Sequence, residues 1–180
     1  MEPQDLMNRA WRGMRSEDLP EIARIAALVH PLYPEADEIF AERLELYPAG
    51  SRVLVDKTDA IVGYAVTHPW RYGAIPTLDS PLGALPIDAD CYYIHDIALL
   101  PAARGCGAAQ KGVAWLADHA ARAGLARMAL VAIAGTQGFW ETQGFDVVDA
   151  PAMAAKLASY DRSARYMARG LRCIASDSCA

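Results

Sequence analysis

Tyr92-Tyr93-Ile94-His95-Asp96-Ile97-Ala98-Leu99-Leu100-Pro101-Ala102-Ala103-Arg104-Gly105-Cys106-Gly107-Ala108-Ala109 joins three signals in one stretch. An apolar run of strand length reaches a proline. An Arg-Gly-x-Gly turn follows, and an alanine-rich helix opens from it. The first N–H groups of a helix have no internal partner, and the helix dipole adds positive potential there. Glycines let that backbone close on a phosphate with no Cβ in the way. The order strand, glycine turn, helix start therefore predicts an anion site and a phosphate-bearing ligand.

The chain has 180 residues, 53% of them hydrophobic and 22% charged, with a net charge of −5. That length suits one domain with its own core. The acidic balance argues against a nucleic-acid binder that works by neutralising phosphates. No segment approaches the roughly 20 apolar residues that span a bilayer, and the first residues lack a basic-then-apolar leader. A cytoplasmic protein with no membrane partner is the expectation. Cys91, Cys106, Cys173 and Cys179 form no CxxC pair and no Cys/His spacing, so no metal site is expected.

Outward from the opening stretch, the periodicities predict an ordered series. Residues 11–15 form a first strand. A helix capped by Ser16 follows, with Ile22, Ile25, Ala26, Leu28 and Val29 inward. Pro31 and Pro34 break it. Residues 35–46 make a second amphipathic helix. Residues 52–55 and 61–68 pair as a hairpin through residues 56–59. Residues 69–90, with four prolines, show no periodicity; so long a connection is functional or disordered. The strand at 91–99 leads to a helix from Gly107 to about Arg122. Residues 128–133 are a continuous apolar run, as in a strand buried on both faces. A short helix spans 136–143, and residues 145–148 and 165–169 form the last two strands. The expected domain is 1–172, with 173–180 as a flexible tail.

This order, together with Arg104-Gly105-Cys106-Gly107-Ala108-Ala109, the preceding Leu99-Leu100-Pro101 and the later Phe139-Trp140-Glu141-Thr142-Gln143-Gly144-Phe145, resembles the GNAT superfamily of N-acetyltransferases. The resemblance covers about residues 10–170. It implies an α/β fold with a mixed central sheet of about seven strands, helices on both faces, and a splay between the fourth and fifth strands. It implies acetyl-CoA as cofactor. Ile97, Ala98 and Leu99 would bond its thioester and pantetheine arm. Arg104, Gly105, Cys106, Gly107, Ala108 and Ala109 would cradle the pyrophosphate, with contacts from Thr136 and Trp140. A dinucleotide fold is disfavoured: the GxGxxG spacing is missing, and Arg127-Met128-Ala129-Leu130 offers no acid where one is needed. A P-loop lacks its Gly-Lys-Ser/Thr.

Acyl transfer to an amine needs a proton acceptor, because an alkylamine of pKa about 10.4 is mostly protonated at neutral pH. It also needs donors for the developing oxyanion. His95 and Asp96 are the candidate bases. Strand alternation lets only one face the cleft, unless a bulge re-aims them. In some polyamine acetyltransferases a glutamate stands where His95 falls, which favours His95; its ordinary pKa near 6.5 suits the task. Trp140 departs from the family, many of whose members carry a tyrosine acid there. An indole N–H donates but does not ionise, so either water or another tyrosine, Tyr93 or Tyr166, would do that work. Tyr33, His68 and Trp70 are the expected acceptor-binding residues, with His30 and Tyr72 nearby. The resulting expectation is direct attack by a small-molecule primary amine in a ternary complex. A protein or peptide acceptor, or a non-catalytic acyl-CoA-binding module, is the alternative. A homodimer is the assembly the resemblance implies.

Overall fold

The computed structural model describes residues 9–149 and 151–171. The predicted tail at 173–180 and the ends of the predicted domain lie outside the described residues. Seven strands form one sheet in the order β1-β2-β3-β4-β5-β7-β6. They are β1 (Ala10–Gly13), β2 (Arg52–Val55), β3 (Ile61–Trp70), β4 (Cys91–Leu99), β5 (Arg127–Ala132), β6 (Asp146–Val147) and β7 (Arg165–Gly170). All neighbours are antiparallel except β4 and β5, which run parallel. The helices are α1 (Leu19–Val29), α2 (Asp37–Leu46), α3 (Ala108–Arg122), α4 (Gln137–Thr142) and α5 (Ala154–Ala158). The expected mixed seven-strand sheet flanked by helices is the one found.

Two cores lie on opposite faces. One packs Val113, Leu116 and Ala120 of α3 against Tyr92, Ile94, Met128 and Leu130. The other packs Ile22, Ile25 and Phe40 of α1 and α2 against Val53, Tyr64, Val66 and Ala98. Several local expectations are corrected. Ser16 begins a short 3-10 turn with no side-chain cap; Asp18 takes the capping role, accepting from the Arg15 N–H at 2.8 Å and from both Arg12 terminal nitrogens. Leu28 faces outward, 59% exposed. The second helix starts at Asp37, which leaves Glu35 in the preceding loop.

Trp11 on β1 fixes where α3 begins. Its indole N–H donates to the Ala108 carbonyl at 2.9 Å. Its ring lies against Gly112, where an added Cβ would come within 2.8 Å of it. The edge strand thus holds the first turn of α3 in place behind the glycine turn.

The feature that makes a site is a gap. β4 pairs with β5 only over Tyr92–Ile94, opposite Met128–Leu130. Beyond Ile94 the two strands part, β4 staying with β3 and β5 with β7. From His95 to Leu99, β4 has no strand on its β5 side among the described residues. Peptide N–H and C=O groups there need other partners.

Candidate active site

The parting of β4 and β5 opens a cleft of about 790 Å³ that reaches from the α1–α2 loop to the glycine turn. At the turn, Gly105 and Gly107 have φ of +76° and +77°, and an added Cβ at either would meet nothing within 4 Å. The left-handed conformation selects glycine at both positions, and open space lies in front of them. Gly107 is the N-terminal residue flanking α3, and among the described residues no side chain caps that end. Arg104 folds back so that its Nε donates to the Leu99 carbonyl at 2.9 Å, meeting one acceptor of the unpaired β4 edge. Arg104, Gly105, Ala108 and Ala109 line the cleft, as do Ile97, Ala98, Leu99, Thr136 and Trp140. Cys106 points away: its thiol accepts from Arg9 at 3.1 Å and donates to the Ala103 carbonyl at 3.3 Å.

The other end of the cleft is set by a bulge. β3 pairs Val66 with Asp96 but Thr67 with Ile94, so His95 is an extra residue in the ladder. Before it, Tyr92 and Ile94 pack in the α3 core. After it the parity is inverted: Ala98 lies beneath α1, and Leu99 lies with Ala103 and Ala108. Both His95 and Asp96 are thereby turned toward α1 and α2, at the point where the strands part. The alternation rule would have put one of them on each face.

Each is paired. His95 Nε2 lies 2.9 Å from a Glu35 carboxylate oxygen, and both side chains are almost fully buried. Asp96 accepts a hydrogen bond from the Tyr64 hydroxyl. Its other oxygen lies 3.1 Å from His30 Nε2, an ion-pair contact in which the ring N–H is not well aimed. Burial alone would raise the Asp96 carboxyl, but His30, Tyr64 and His95 outweigh it and hold it below the ordinary carboxylate value. Burial alone would lower His30, but Asp96 outweighs it and raises the imidazole above 6.5. Sequence reasoning missed Glu35, which it placed inside a helix, and Tyr64, which reads only as a strand aromatic.

Four loops close the end of the cleft beside His95 and Asp96. The Tyr33 hydroxyl donates to Asp161 at 2.5 Å, and the Ala134 N–H reaches the same carboxylate at 3.3 Å. Burial pushes that carboxyl up, yet the donors from Ser163, Tyr33 and Ala134 bring it down to about 2. Tyr160 donates to the Pro76 carbonyl at 2.9 Å, and Asp79 ties the 71–90 loop to the Ala36 N–H at 2.7 Å.

Of the expected acceptor residues, Tyr33 lines the cleft and His68 and Trp70 do not. His68 is fully buried under the site, and Trp70 packs beside Tyr93 and Tyr166. Both lie on β3, which is covered on its two faces. Tyr93 and Tyr160 line the cleft; Tyr166 is buried outside it, accepting from the Gly73 N–H.

His68 has a consequence for stability. Burial and the neighbouring His95 lower it from 6.5 to about 3. Its Nδ1–H donates to the Pro69 carbonyl at 3.1 Å, and Nε2 has no partner among the described residues. The unfolded chain binds a proton here below pH 6.5 and the folded chain does not, so stability falls as pH drops from 6.5 toward 3. The expected loss is on the order of a few kcal/mol. Thermal melts of His68→Leu across that range should show a flatter dependence on pH than the parent. An unchanged slope would mean that His68 is not held neutral.

Comparison with known proteins places this geometry. The family model described as Acetyltransferase (GNAT) family matches residues 11–145. No curated protein sequence matches the chain. Among solved structures, the GNAT-like decarboxylase GphF in complex with isobutyryl-CoA is similar with a TM-score of 0.76 at 17% identity, over 91% of this chain and 100% of that one. The ribosomal-protein-S18-alanine N-acetyltransferase from Escherichia coli gives a TM-score of 0.65 at 16% identity, over 96% and 99%. The N-acetylglutamate synthase from Neisseria gonorrhoeae, complexed with coenzyme A and N-acetyl-glutamate, gives 0.64 at 21% identity, over 91% of this chain and 35% of that one. The chain thus spans about a third of that synthase's length. Among the described residues no helix is long and apolar enough to cross a membrane. With its family model matched over three-quarters of its length, the chain belongs to the acetyltransferase (GNAT) family, and it is an acetyltransferase of that type.

Proposed function

We propose that the protein transfers the acetyl group of acetyl-CoA to a primary amine by direct attack within a ternary complex, with His95 as the base. The observation that carries this reading is the bulge that sets His95 beside Glu35 where β4 and β5 part. Open space before Gly105 and Gly107, and the uncapped start of α3, fit a diphosphate. The unpaired β4 edge from His95 to Leu99 fits an amide-bearing arm. Acetyl-CoA supplies the acetyl group as a thioester, whose carbon–sulfur bond is exchanged for a carbon–nitrogen bond to the amine.

The rest is the work of this chain's residues. Glu35 accepts from His95 Nε2–H, which leaves the lone pair on Nδ1. Nδ1 then takes the proton that the amine must shed. Free N–H groups on the β4 edge are the donors for negative charge on the acyl oxygen. Asp96, kept ionised by His30 and Tyr64, holds the incoming ammonium before it is deprotonated. Trp140 walls the pocket without acting as an acid.

The acceptor this reading favours is the terminal amine of a peptide chain. Leu32 lines the cleft at 80% exposure, a rim that a chain leaving the pocket would cover. The Escherichia coli relative acts on a protein alanine by its name. A small-molecule amine is the second reading, favoured by the ties through Asp161, Tyr160 and Asp79 that narrow the acceptor end. Thiol release from acetyl-CoA should appear with peptide N-termini at higher kcat/KM than with small amines of matched pKa. The reverse order selects the small-molecule acceptor. Tight acetyl-CoA binding with no thiol release on any amine would leave only a binding module.

A further inference from the structure

The charges around the acceptor end are one-sided. Glu35 and Asp96 line it as carboxylates, and Asp161 stands at its rim. Cationic side chains near it are already committed. Arg104 lies at the glycine turn and is bonded to the Leu99 carbonyl. His30 is matched to Asp96. Arg43 is fully buried behind the site, where its terminal nitrogens bond Glu42 and the Ser80 carbonyl. Among the described residues, no lysine or arginine presents a free head to the acceptor end of the cleft. Tyr33 and Tyr160 spend their hydroxyls on Asp161 and the Pro76 carbonyl, and the Tyr93 hydroxyl bonds Tyr160.

A carboxylate brought there meets the buried Glu35 carboxylate and an Asp96 only partly offset by His30, with no free guanidinium fork to receive it. Coulomb repulsion is strong at low effective dielectric, and a buried charge left unpaired is costly. Recognition of a carboxylate calls for a guanidinium or a comparable set of donors. A primary amine, in contrast, meets two carboxylates and a base. An amide in place of the carboxylate carries no charge to repel.

Resting on the transferase reading above, we infer that the acceptor is an amine whose neighbouring carboxyl group is absent or masked as an amide, and that free α-amino acids are excluded. The pocket's apolar lining (Val29, Leu32, Leu78) accepts the group attached to that amine.

The test is a set of matched pairs assayed by thiol release from acetyl-CoA: glycine and glycinamide, leucine and leucinamide, phenylalanine and phenylalaninamide. Each rate is compared at the same concentration of unprotonated amine, so that the lower amine pKa of the amides does not enter. The amide of the preferred pair should exceed its acid in kcat/KM by on the order of 100-fold. In Asp161→Asn that ratio should shrink severalfold, with the wild-type preference among side chains kept. Equal rates for acid and amide, or a faster acid, overturn the inference while leaving the transferase reading intact. Absence of turnover on every amine, with acetyl-CoA still bound, overturns both.

Discussion

Replacing His95 with glutamine should lower kcat by about 10²–10⁴-fold, the range for loss of a general base, while acetyl-CoA binding measured by calorimetry stays within about twofold. Glutamine is the informative substitute because its amide N–H still reaches Glu35. The buried carboxylate, 2.9 Å from His95 Nε2, is then not left alone. Glu35→Gln should act in the same direction but less strongly, about 10- to 100-fold. It keeps the imidazole and removes the group that fixes which nitrogen carries the proton. Full activity in His95→Gln would move the base to Asp96, the only other group that the bulge turns to this side of β4.

Gly107→Val should raise the dissociation constant of acetyl-CoA by on the order of 100-fold or more. Two effects add. A β-branched residue is strained at φ +77°. Its methyl groups would also fill the open space in front of the turn, where a Cβ alone meets nothing within 4 Å. Much of the strain is local to an exposed turn, so the melting temperature should fall by only a few degrees. A variant that binds acetyl-CoA like the parent would show that the diphosphate does not lie against this turn. A variant that only unfolds is distinguished by the melt, and Gly105→Ala then serves as the milder probe.

Much of this architecture was legible in the sequence because its signals are local. The apolar run ending at Leu99 matches β4 to the residue, and the glycines that follow it mark the start of α3. The apolar stretch at 128–133 reads as a strand buried on both faces and is one, displaced by a single residue. The site was less legible because it depends on relations between distant segments. The bulge at His95 comes from register against β3, and no pattern within 91–99 announces it. Glu35 was drawn into the second helix by the amphipathic period of 35–46; the helix begins two residues later and frees that carboxylate to reach His95. His68 and Trp70 read as pocket material because they are polar or aromatic at a strand end. Their strand is covered on both faces, and so they are walled off from the cleft. The 71–90 loop shows no period because side chains elsewhere hold it, with Glu42 receiving the Leu82 and Gly83 N–H groups and Asp90 the Tyr72 N–H.

The account rests on a diphosphate seated at residues 104–109 with its arm running beside β4, and a crystal structure of the protein grown with acetyl-CoA tests that directly. The predicted result is phosphate oxygens against the backbone N–H groups of the glycine turn and α3, with the thioester between β4 and β5 next to His95. A nucleotide bound elsewhere on the surface, or a cleft left empty at saturating acetyl-CoA, would contradict it.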